Sequence, residues 1–532
     1  MTDATLNGAT PLPAAKRAFN PYIVAPVAGI AAFMEILDIS IANVALQNIA
    51  GGLSASQNEA TWVLTSYLVA NAIILPVSGW ISSVIGRKYY FIFCVSSFTV
   101  ASLLCGLAPN LTVLIVFRAL QGIAGGGLQP TAQALLADSF PPSKRGLAFA
   151  VYGLAAVFAP AIGPALGGWI TDNYTWRWVF LLNVPVGIIL TLVASRAIPS
   201  DRRTDVKKRL LNFDYFGFSL LVIGMGALQF VLDRGQEDDW FDSNLIVTLA
   251  VTAVVGLVIF TIWELRRADP IVDLKLLRTR NFAVGNMLLF MLGFVLMGST
   301  VLVPLYAQIL LGYTATDAGL VMSPAGFAMM FLMPVTGILA AKFDNRLFIM
   351  FGLVIGGLAM FHMAGFDAST DYGSIAMGRF YQAISFAFLF IPINTVATVG
   401  IPSDKSDKAF AITNMARNIG GSFGISLATT VLSRRQQYHQ SVLTEHVTPY
   451  NHAYQTMMQG LKHSLSAHIA NPAEVVAAAQ SKIAGLVGRQ ALALSFVDAF
   501  WFMGWAFLVS IPLVFFLRAK RSGEGGAGMP VH

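Results

Sequence analysis

The chain has 532 residues, of which 56% are hydrophobic and 11% are charged, and its mean hydropathy is +0.67. Soluble globular domains do not have this composition, so the chain is predicted to be a polytopic membrane protein. Its net charge of +7 is explained by basic cytoplasmic loops and requires no nucleic-acid partner. The two cysteines, Cys94 and Cys105, are too few for a disulfide framework or a metal site.

About fourteen apolar segments are long enough to cross a bilayer. They follow a polar stretch at residues 1–20 that has no cleavable signal pattern, so the first segment is expected to be retained. The predicted fold class is therefore an all-α polytopic membrane protein. The predicted spans are residues 22–46, 60–83, 89–108, 111–137, 146–171, 177–196, 213–233, 243–265, 281–311, 317–341, 346–365, 373–399, 408–432 and 493–518.

Basic residues gather in alternate loops between these spans. The positive-inside rule places such loops in the cytoplasm, so both chain termini are predicted to be cytoplasmic. An even number of spans agrees with this orientation. The basic loops contain Arg87 and Lys88, Lys144 and Arg145, Arg202 to Arg209, Arg266 to Arg280, Lys342 and Arg346, Lys405 and Lys408, and Arg518 to Arg521.

The first span contains two acidic residues, Glu35 and Asp38. Residues three apart share one face of a helix. An ionisable group at this depth is costly unless it faces the protein interior, a partner or water, and such groups form proton relays and ion pathways. The pair is therefore a candidate for proton carriage, for cation binding, or for a structural salt bridge with a buried arginine.

The fourth span supplies such an arginine, Arg118, with Gln121 three residues further on. If Arg118 pairs with Glu35 and Asp38, arrival of a proton or substrate would exchange the partners and give two states. The alternative is a static salt bridge that fixes helix packing, since a buried ion pair is weak evidence of function by itself.

An internal repeat divides the chain into two halves of about six spans. PVSGWISS at residues 76–83 recurs as PVTGILAA at 334–341, and the Arg118 and Gln121 pair recurs as Arg379 and Gln382. Parallel repeats of this kind build transporters whose substrate site lies at the bilayer midplane between the halves. The predicted units are a tail at 1–20, a first half at 21–200, a linker with two inserted helices at 201–275, a second half at 276–518 and a tail at 519–532.

Several other residues in the spans are candidates for function. The fifth span has a run of glycine with Pro160 and Pro164 between residues 153 and 168, which favours either tight packing or a bending helix. Arg379 and Arg417 are buried charges of the second half, and Arg379 is expected to be structural. The candidate substrate-binding residues are Asn43, Gln121, Gln129, Phe386 and Asn394.

One loop is long: residues 433–492 are predicted to form a helical hairpin outside the membrane, either as a solvated cap or as a docking surface for a partner. Its histidines match no compact metal motif. The chain has no GxxxxGK[ST] stretch and no Ser-His-Asp signature, so no cofactor and no enzymatic activity are predicted.

Several stretches resemble the fourteen-span drug:proton antiporters of the major facilitator superfamily, and more closely its EmrB-type permeases. The resemblance covers nearly the whole chain. The stretches are LDISIANVAL (37–46), GWISSVIGRK (79–88), RALQG (118–122), the glycine and proline run of the fifth span, TDNYTWRWVFLLNVPVG (171–187), LDRGQEDDWF (232–241), DPIVDL (269–274), GYTAT (312–316) and RNIGGSFG (417–424).

The resemblance implies a fold of two six-helix halves with two extra helices between them. It also implies the inner-membrane permease of a tripartite pump that exchanges lipophilic small molecules for protons, with a periplasmic adaptor of the EmrA type and an outer-membrane channel of the TolC type. Proton coupling is then expected of Asp38, Glu35 and Arg118. Gating is expected of Gly79, Gly86, Arg87, Gly163, Pro164, Gly167 and Gly168.

Two positions depart from the family pattern. Ser83 stands where many members have an aspartate in the cytoplasmic gating turn, which argues against a charge relay there. Gln47 replaces the usual proline at the end of the first-span motif. Two other functions remain open: a proton-coupled transporter of small organic or fatty acids on the same fold, and a membrane sensor or scaffold without transport.

Overall fold

A computed structural model describes residues 21–140, 144–198, 213–402, 405–469 and 471–518, and these ranges are helical with no β-strand. Twelve of the described helices are long and apolar enough to cross a membrane, and one bent helix would make a thirteenth. This confirms the predicted all-α membrane fold. The predicted tails at 1–20 and 519–532 lie outside the described residues, as does the basic segment 199–212.

Seven main helices make up the first half. Helices α4 and α5 together form one span, Leu111–Ser139. Short helices at Leu46–Gly52, Gln57–Ala60 and Trp178–Leu181 lie in its connections. The main helices are α1 (Pro21–Val44), α2 (Trp62–Ile85), α3 (Arg87–Gly106), α4 (Leu111–Gly125), α5 (Leu128–Ser139), α6 (Arg145–Asn173) and α7 (Asn183–Ala197).

The remaining helices comprise an inserted pair, the second half and an outer hairpin. The inserted pair is α8 (Tyr215–Arg234) and α9 (Asn244–Arg266). The others are α10 (Arg280–Leu305), α11 (Ala315–Lys342), α12 (Asn345–Met363), α13 (Tyr372–Ala397), α14 (Ser406–Glu445), α15 (His452–Ser466) and α16 (Pro472–Val509). Shorter turns are Trp240–Asp242, Leu274–Arg278, Tyr306–Leu310 and Ile511–Phe515.

The packing of the helices repeats from one predicted half to the other. In the first half α6 lies along α1, and in the second half α14 lies along α10. The same two helices cross to the opposite half, because α6 also packs on α11 and α14 also packs on α2. The pair α8 and α9 packs on itself, and α8 also packs on α2 of the first half and on α14 of the second half.

The predicted span 408–432 is the first part of α14, and this helix is not one of the twelve apolar spans. Its glycine, serine and threonine residues and Arg417 lower its hydropathy. These small residues let α14 lie against the α10 backbone, since a Cβ added at Gly420 or Gly424 would collide with the carbonyl groups of Phe290 and Phe294. The helix is therefore surrounded by protein instead of lipid.

Helix α6 bends by 46° between its segments Ala148–Pro160 and Ala165–Asn173. Pro160 and Pro164 explain the bend, because a proline within a helix removes a hydrogen bond and its ring crowds the preceding turn. The structure therefore agrees with the bending alternative for this span, at the point where α6 passes between α1 and α11.

Residues 433–492 form a helical hairpin that is continuous with the two long helices before and after it. Helix α14 runs to Glu445, and α16 begins at Pro472 with Asn471 as its cap. The apolar side of α15 packs on the outer part of α16 through Met458, Ala479 and Ile483. Most of the apolar side of α15 is thus covered within the hairpin.

Candidate functional site

The first half contains a buried ion pair between Asp38 on α1 and Arg118 on α4. Arg118 Nη1 lies 2.6 Å from Asp38 Oδ2, and both side chains are completely buried. Gln121 Nε2 and Asn183 Nδ2 donate to Asp38 Oδ1 at 3.0 and 2.7 Å. Ser102 Oγ accepts a second hydrogen bond from Asn183, at 3.1 Å. The carboxylate of Asp38 is therefore neutralised and holds four helical segments together.

The guanidinium of Arg118 has further partners that keep it in place. Its Nε donates to the carbonyl oxygen of Val63 at 3.1 Å, and its Nη1 donates to Gln121 Oε1 at 2.8 Å. The ring of Tyr67 lies 4.3 Å from its carbon Cζ, which is cation–π distance. Such a cage favours the static salt bridge over an exchange of partners for this pair.

Glu35 does not share the ion pair, although it lies one turn from Asp38 on α1. Its Oε1 accepts a hydrogen bond from Asn71 Nδ2 on α2 at 3.1 Å. Its Oε2 is buried and has no hydrogen-bond partner among the described residues. The next polar groups around it are Gln129 of α5 and Arg417 of α14, a helix of the other half. Glu35 is thus a loosely held acid that faces the contact between the halves.

A polar cluster joins the two halves next to Glu35. Arg417 Nη2 donates to Gln129 Oε1 across the contact, and Tyr152 Oη of α6 donates to the same oxygen at 3.0 Å. Asn414 Nδ2 of α14 donates to Gln133 Oε1 of α5 at 2.8 Å. All of these side chains are buried, so the cluster is a polar connection at the interior contact between the halves.

The second half contains the repeat of the arginine and glutamine pair, but with a neutral partner. Arg379 Nη1 donates to Gln382 Oε1, and Gln382 Nε2 donates to Ser299 Oγ at 2.7 Å. Arg379 Nη1 also lies 3.4 Å from Ser299 Oγ. Together with Phe386, Arg379 and Gln382 line a cavity of about 20 Å³. Ser299 on α10 therefore occupies the place that Asp38 has on α1.

The turn between α2 and α3, which is predicted to be cytoplasmic, forms a charged contact between the halves. Arg87 bonds Asp138 of α5, and its Nε lies 2.8 Å from Asp407 Oδ1 of α14. Ser82 Oγ donates to the same Asp407 oxygen at 3.2 Å. Gly79 lies against the backbone of Asp407, and a Cβ there would be 2.8 Å from its carbonyl oxygen.

This contact supplies an acid to a turn in which Ser83 replaces the aspartate of many family members. Although the gating turn has no aspartate at that position, Asp407 of the other half supplies an acid to Arg87. Ser83 Oγ instead donates to the carbonyl oxygen of Trp80 at 2.7 Å. The neighbouring Gly86 has φ +94°, a conformation that favours glycine. An ion pair between the halves is therefore present at this turn.

The glycines of α6 set its distance from two neighbours. A Cβ at Gly163 would collide with Ser40 Oγ of α1, and one at Gly167 would lie 3.2 Å from Ile41 Cγ2. Gly168 faces Thr316 of α11, where an added Cβ would make an ordinary contact of 3.5 Å. The side chain of Pro164 lies outside the described part of the chain.

The sequence identified most of the site but missed several partners of the site residues. Asn43 is exposed at the end of α1 and joins neither cluster, and Asn394 is buried with its Nδ2 on the carbonyl oxygen of Phe390 at 2.7 Å. The partners that sequence reasoning missed are Asn71, Ser102, Asn183, Tyr152, Gln133, Asn414, Ser299, Asp138 and Asp407. Polar residues such as Asn71 and Asn183 within apolar spans were the available signal.

The fold and these clusters agree with the comparison to known families. The family model described as Major Facilitator Superfamily matches residues 28–425. The chain therefore belongs to the major facilitator superfamily and is a multi-pass membrane transporter, not an enzyme.

Within this superfamily, the chain is 37% identical over 504 residues to the multidrug export protein EmrB of Escherichia coli (strain K12), covering 94% of this chain and 96% of EmrB. It is also 37% identical over 499 residues to the fatty acid resistance protein FarB of Neisseria gonorrhoeae, again covering 94% and 96%. These identities confirm the resemblance to EmrB-type permeases.

A solved structure shows the same fold. The human organic anion transporter MFSD10 superposes with a TM-score of 0.56 at 11% identity, covering 93% of this chain and 99% of that one. At this level of identity the likeness extends to the fold alone.

Proposed function

We propose that this chain is a proton-coupled efflux permease for lipophilic compounds and that Glu35 carries the proton. The observation that best supports this is the contrast between the two acids of α1. Three side chains donate to Asp38, whereas Glu35 has one such bond and an oxygen without a partner among the described residues. The relatives named as multidrug export proteins support export as the direction of transport.

The cluster around Glu35 couples its charge to the contact between the halves. When Glu35 is ionised, it attracts Arg417, which is bonded to Gln129 across the contact. When Glu35 takes up a proton from the outer side, this attraction is lost and the contact is weakened. The halves can then rock to the other orientation, where the proton leaves to the cytoplasm and a lipophilic compound enters. This is alternating access with exchange of a proton for a substrate.

The energetics of one proton are sufficient for this exchange. A proton that crosses a proton-motive force of about 150 mV supplies roughly 3.5 kcal/mol. That free energy maintains a substrate gradient of a few hundredfold. Asp38 has a different role in this scheme. Its ion pair with Arg118 keeps the first half rigid and so fixes the position of Glu35.

The test is the variant Glu35→Gln in proteoliposomes with an imposed pH gradient and a lipophilic fluorescent dye. We expect the variant to bind the dye and to lose the gradient that one proton supports, which is a few hundredfold. The matched control is Glu264→Gln, because Glu264 is also a buried glutamate but lies on α9, outside the two halves. If Glu35→Gln still exports dye against a gradient, Glu35 is not the proton carrier.

The same experiment separates the alternatives. Dye that moves with the protons and accumulates on the side that they enter would identify an importer instead of an exporter. A protein that binds dye and moves none under any gradient would be a sensor or scaffold. The buried acid at the contact between the halves and the bend of α6 favour transport over both of these outcomes.

We further propose the bacterial inner membrane as the location, with both termini in the cytoplasm and with a periplasmic adaptor and an outer-membrane channel as partners. The basic cytoplasmic loops and the resemblance to EmrB-type permeases support this assembly. Co-purification of the full-length chain with the adaptor that is expressed with it tests the proposal. Recovery of the permease without an adaptor after mild cross-linking in cells would contradict it.

A further inference from the structure

Arg379 is a buried cation without a counter-charge among the described residues. Its side chain is only 5% exposed, and it takes part in none of the ion pairs formed within the described ranges. Its Nε has no hydrogen-bond partner there either. An isolated charge at the depth of the membrane is costly, and it is usually paired or in contact with a ligand pathway.

The internal repeat shows what is missing. In the first half Arg118 and Gln121 both bond the carboxylate of Asp38. In the second half Arg379 and Gln382 donate the corresponding two hydrogen bonds, but they donate them to the hydroxyl group of Ser299. A hydroxyl group can accept these hydrogen bonds, but it supplies no negative charge. The second half therefore has the donors of an ion pair without its anion.

A small cavity adjoins the side chains of Arg379 and Gln382. Arg379 and Gln382 line it together with Phe386 of the same helix. Its volume of about 20 Å³ is sufficient for one water-sized group. Pro160, at the bend of α6 in the first half, forms another part of the wall. The cavity is thus closed by the helix that is expected to move during transport.

We propose that this cavity is a binding site for a monovalent anionic group, held by the guanidinium of Arg379 and the amide of Gln382. The inference rests on the proposed function, because it assigns part of the substrate pathway between the halves. The anionic group comes from one of two sources: an inorganic ion such as chloride, or the carboxylate of an amphiphilic compound. Leu296, Ala325 and Phe386 form an apolar part of the cavity wall.

The site is tested by equilibrium binding to the full-length chain in lipid nanodiscs, without a pH gradient and with gluconate as the bulky background anion. The probes are chloride, decanoate and methyl decanoate, which differs from decanoate only in the loss of its charge. We expect Arg379→Gln to weaken binding of the anionic probe about tenfold or more, since a charged hydrogen bond is lost.

Two variants of one residue provide the matched comparison. Ser299→Asp places a carboxylate where the first half has one, so it should neutralise Arg379 and weaken anion binding to the same extent. Ser299→Ala removes the hydroxyl group without supplying a charge, and it should bind the anion nearly as the unmodified chain does. Because Ser299→Asp creates an ion pair, it tests the site even if Arg379→Gln does not fold.

The outcomes separate the two sources. Chloride binding that is lost in Arg379→Gln and Ser299→Asp identifies an inorganic ion. Decanoate binding that exceeds methyl decanoate binding, with the excess lost in the same variants, identifies a carboxylate. The absence of binding for both anions, or binding that neither variant weakens, would overturn the proposal. Because no gradient is used, failure of proton coupling at Glu35 would leave these results unchanged.

Discussion

The two halves treat the same arginine and glutamine pair in opposite ways. In the first half Arg118 is paired with Asp38. Its Nε also donates to the carbonyl oxygen of Val63, and its guanidinium group lies over the ring of Tyr67. In the second half Arg379 faces a hydroxyl group and a cavity. Duplication of a six-helix unit thus preserved the packing of the helices but not the charges inside them. One copy is neutralised and rigid, and the other keeps a charge available for a ligand.

The largest effect on stability should come from removing Asp38, the acid that is paired with Arg118 in the first half. Asp38→Asn leaves Arg118 buried without a counter-charge, which we expect to destabilise the protein by about 3–5 kcal/mol. The matched change in the other half, Ser299→Asn, removes no charge and should cost much less. Reversible unfolding in mixed micelles measures both values. Equal losses of unfolding free energy in the two variants would show that the halves do not differ in this way.

A smaller effect is expected at the cytoplasmic contact, where the two halves meet through charges. Arg87→Ala removes the bonds to Asp138 and Asp407, worth about 2 kcal/mol or roughly 30-fold in opening. Hydrogen exchange at the start of α14 should accelerate by that factor.

Lys88→Ala is the control for this variant, since Lys88 bonds only the carbonyl oxygen of Ser195 within its own half among the described residues. Slow exchange in Arg87→Ala, unchanged from the parent chain, would mean that Arg87 does not hold the cytoplasmic side closed.

The smallest effect concerns the packing of α6, which is the moving helix of the first half. A methyl group at Gly163 collides with Ser40, so Gly163→Ala should cost about 1–2 kcal/mol and slow transport. Gly168→Ala adds the same group where there is room and should be close to neutral. Thermal unfolding and dye export measure the two consequences. If Gly168→Ala is the more damaging change, the contact between α1 and α6 is not the critical one.

The sequence predicted the partner of Arg118 but could not separate the roles of the two acids. Glu35 and Asp38 share a face of α1, yet that face meets two neighbours: Asp38 turns to α4, and Glu35 turns to Asn71 on α2. Residues three apart on a helix point in directions that differ by about 60°. The helix that each acid contacts depends on the positions of α2 and α4, and tertiary packing sets those positions.

The overall organisation was easier to predict than the contacts between the halves. The repeat of PVSGWISS and PVTGILAA indicated two related units, because each copy encodes the same local helix and turn. The acid that compensates for Ser83 lies in the other half, at Asp407. Reading residues 76–88 alone cannot reveal a partner more than three hundred positions away, since no local periodicity connects them.

Helix α14 has a mechanical consequence. Its 40 residues, Ser406–Glu445, form one continuous rod of about 60 Å. Asp407 lies at one end of this rod, where it contacts Arg87, and His439 lies towards the other end, where it bonds Asp498 on α16. If the rod tilts by about ten degrees around its inner end, its outer end is displaced by about 10 Å. Any protein that rests on the outer hairpin would thereby receive a direct signal of whether the cytoplasmic side is shut.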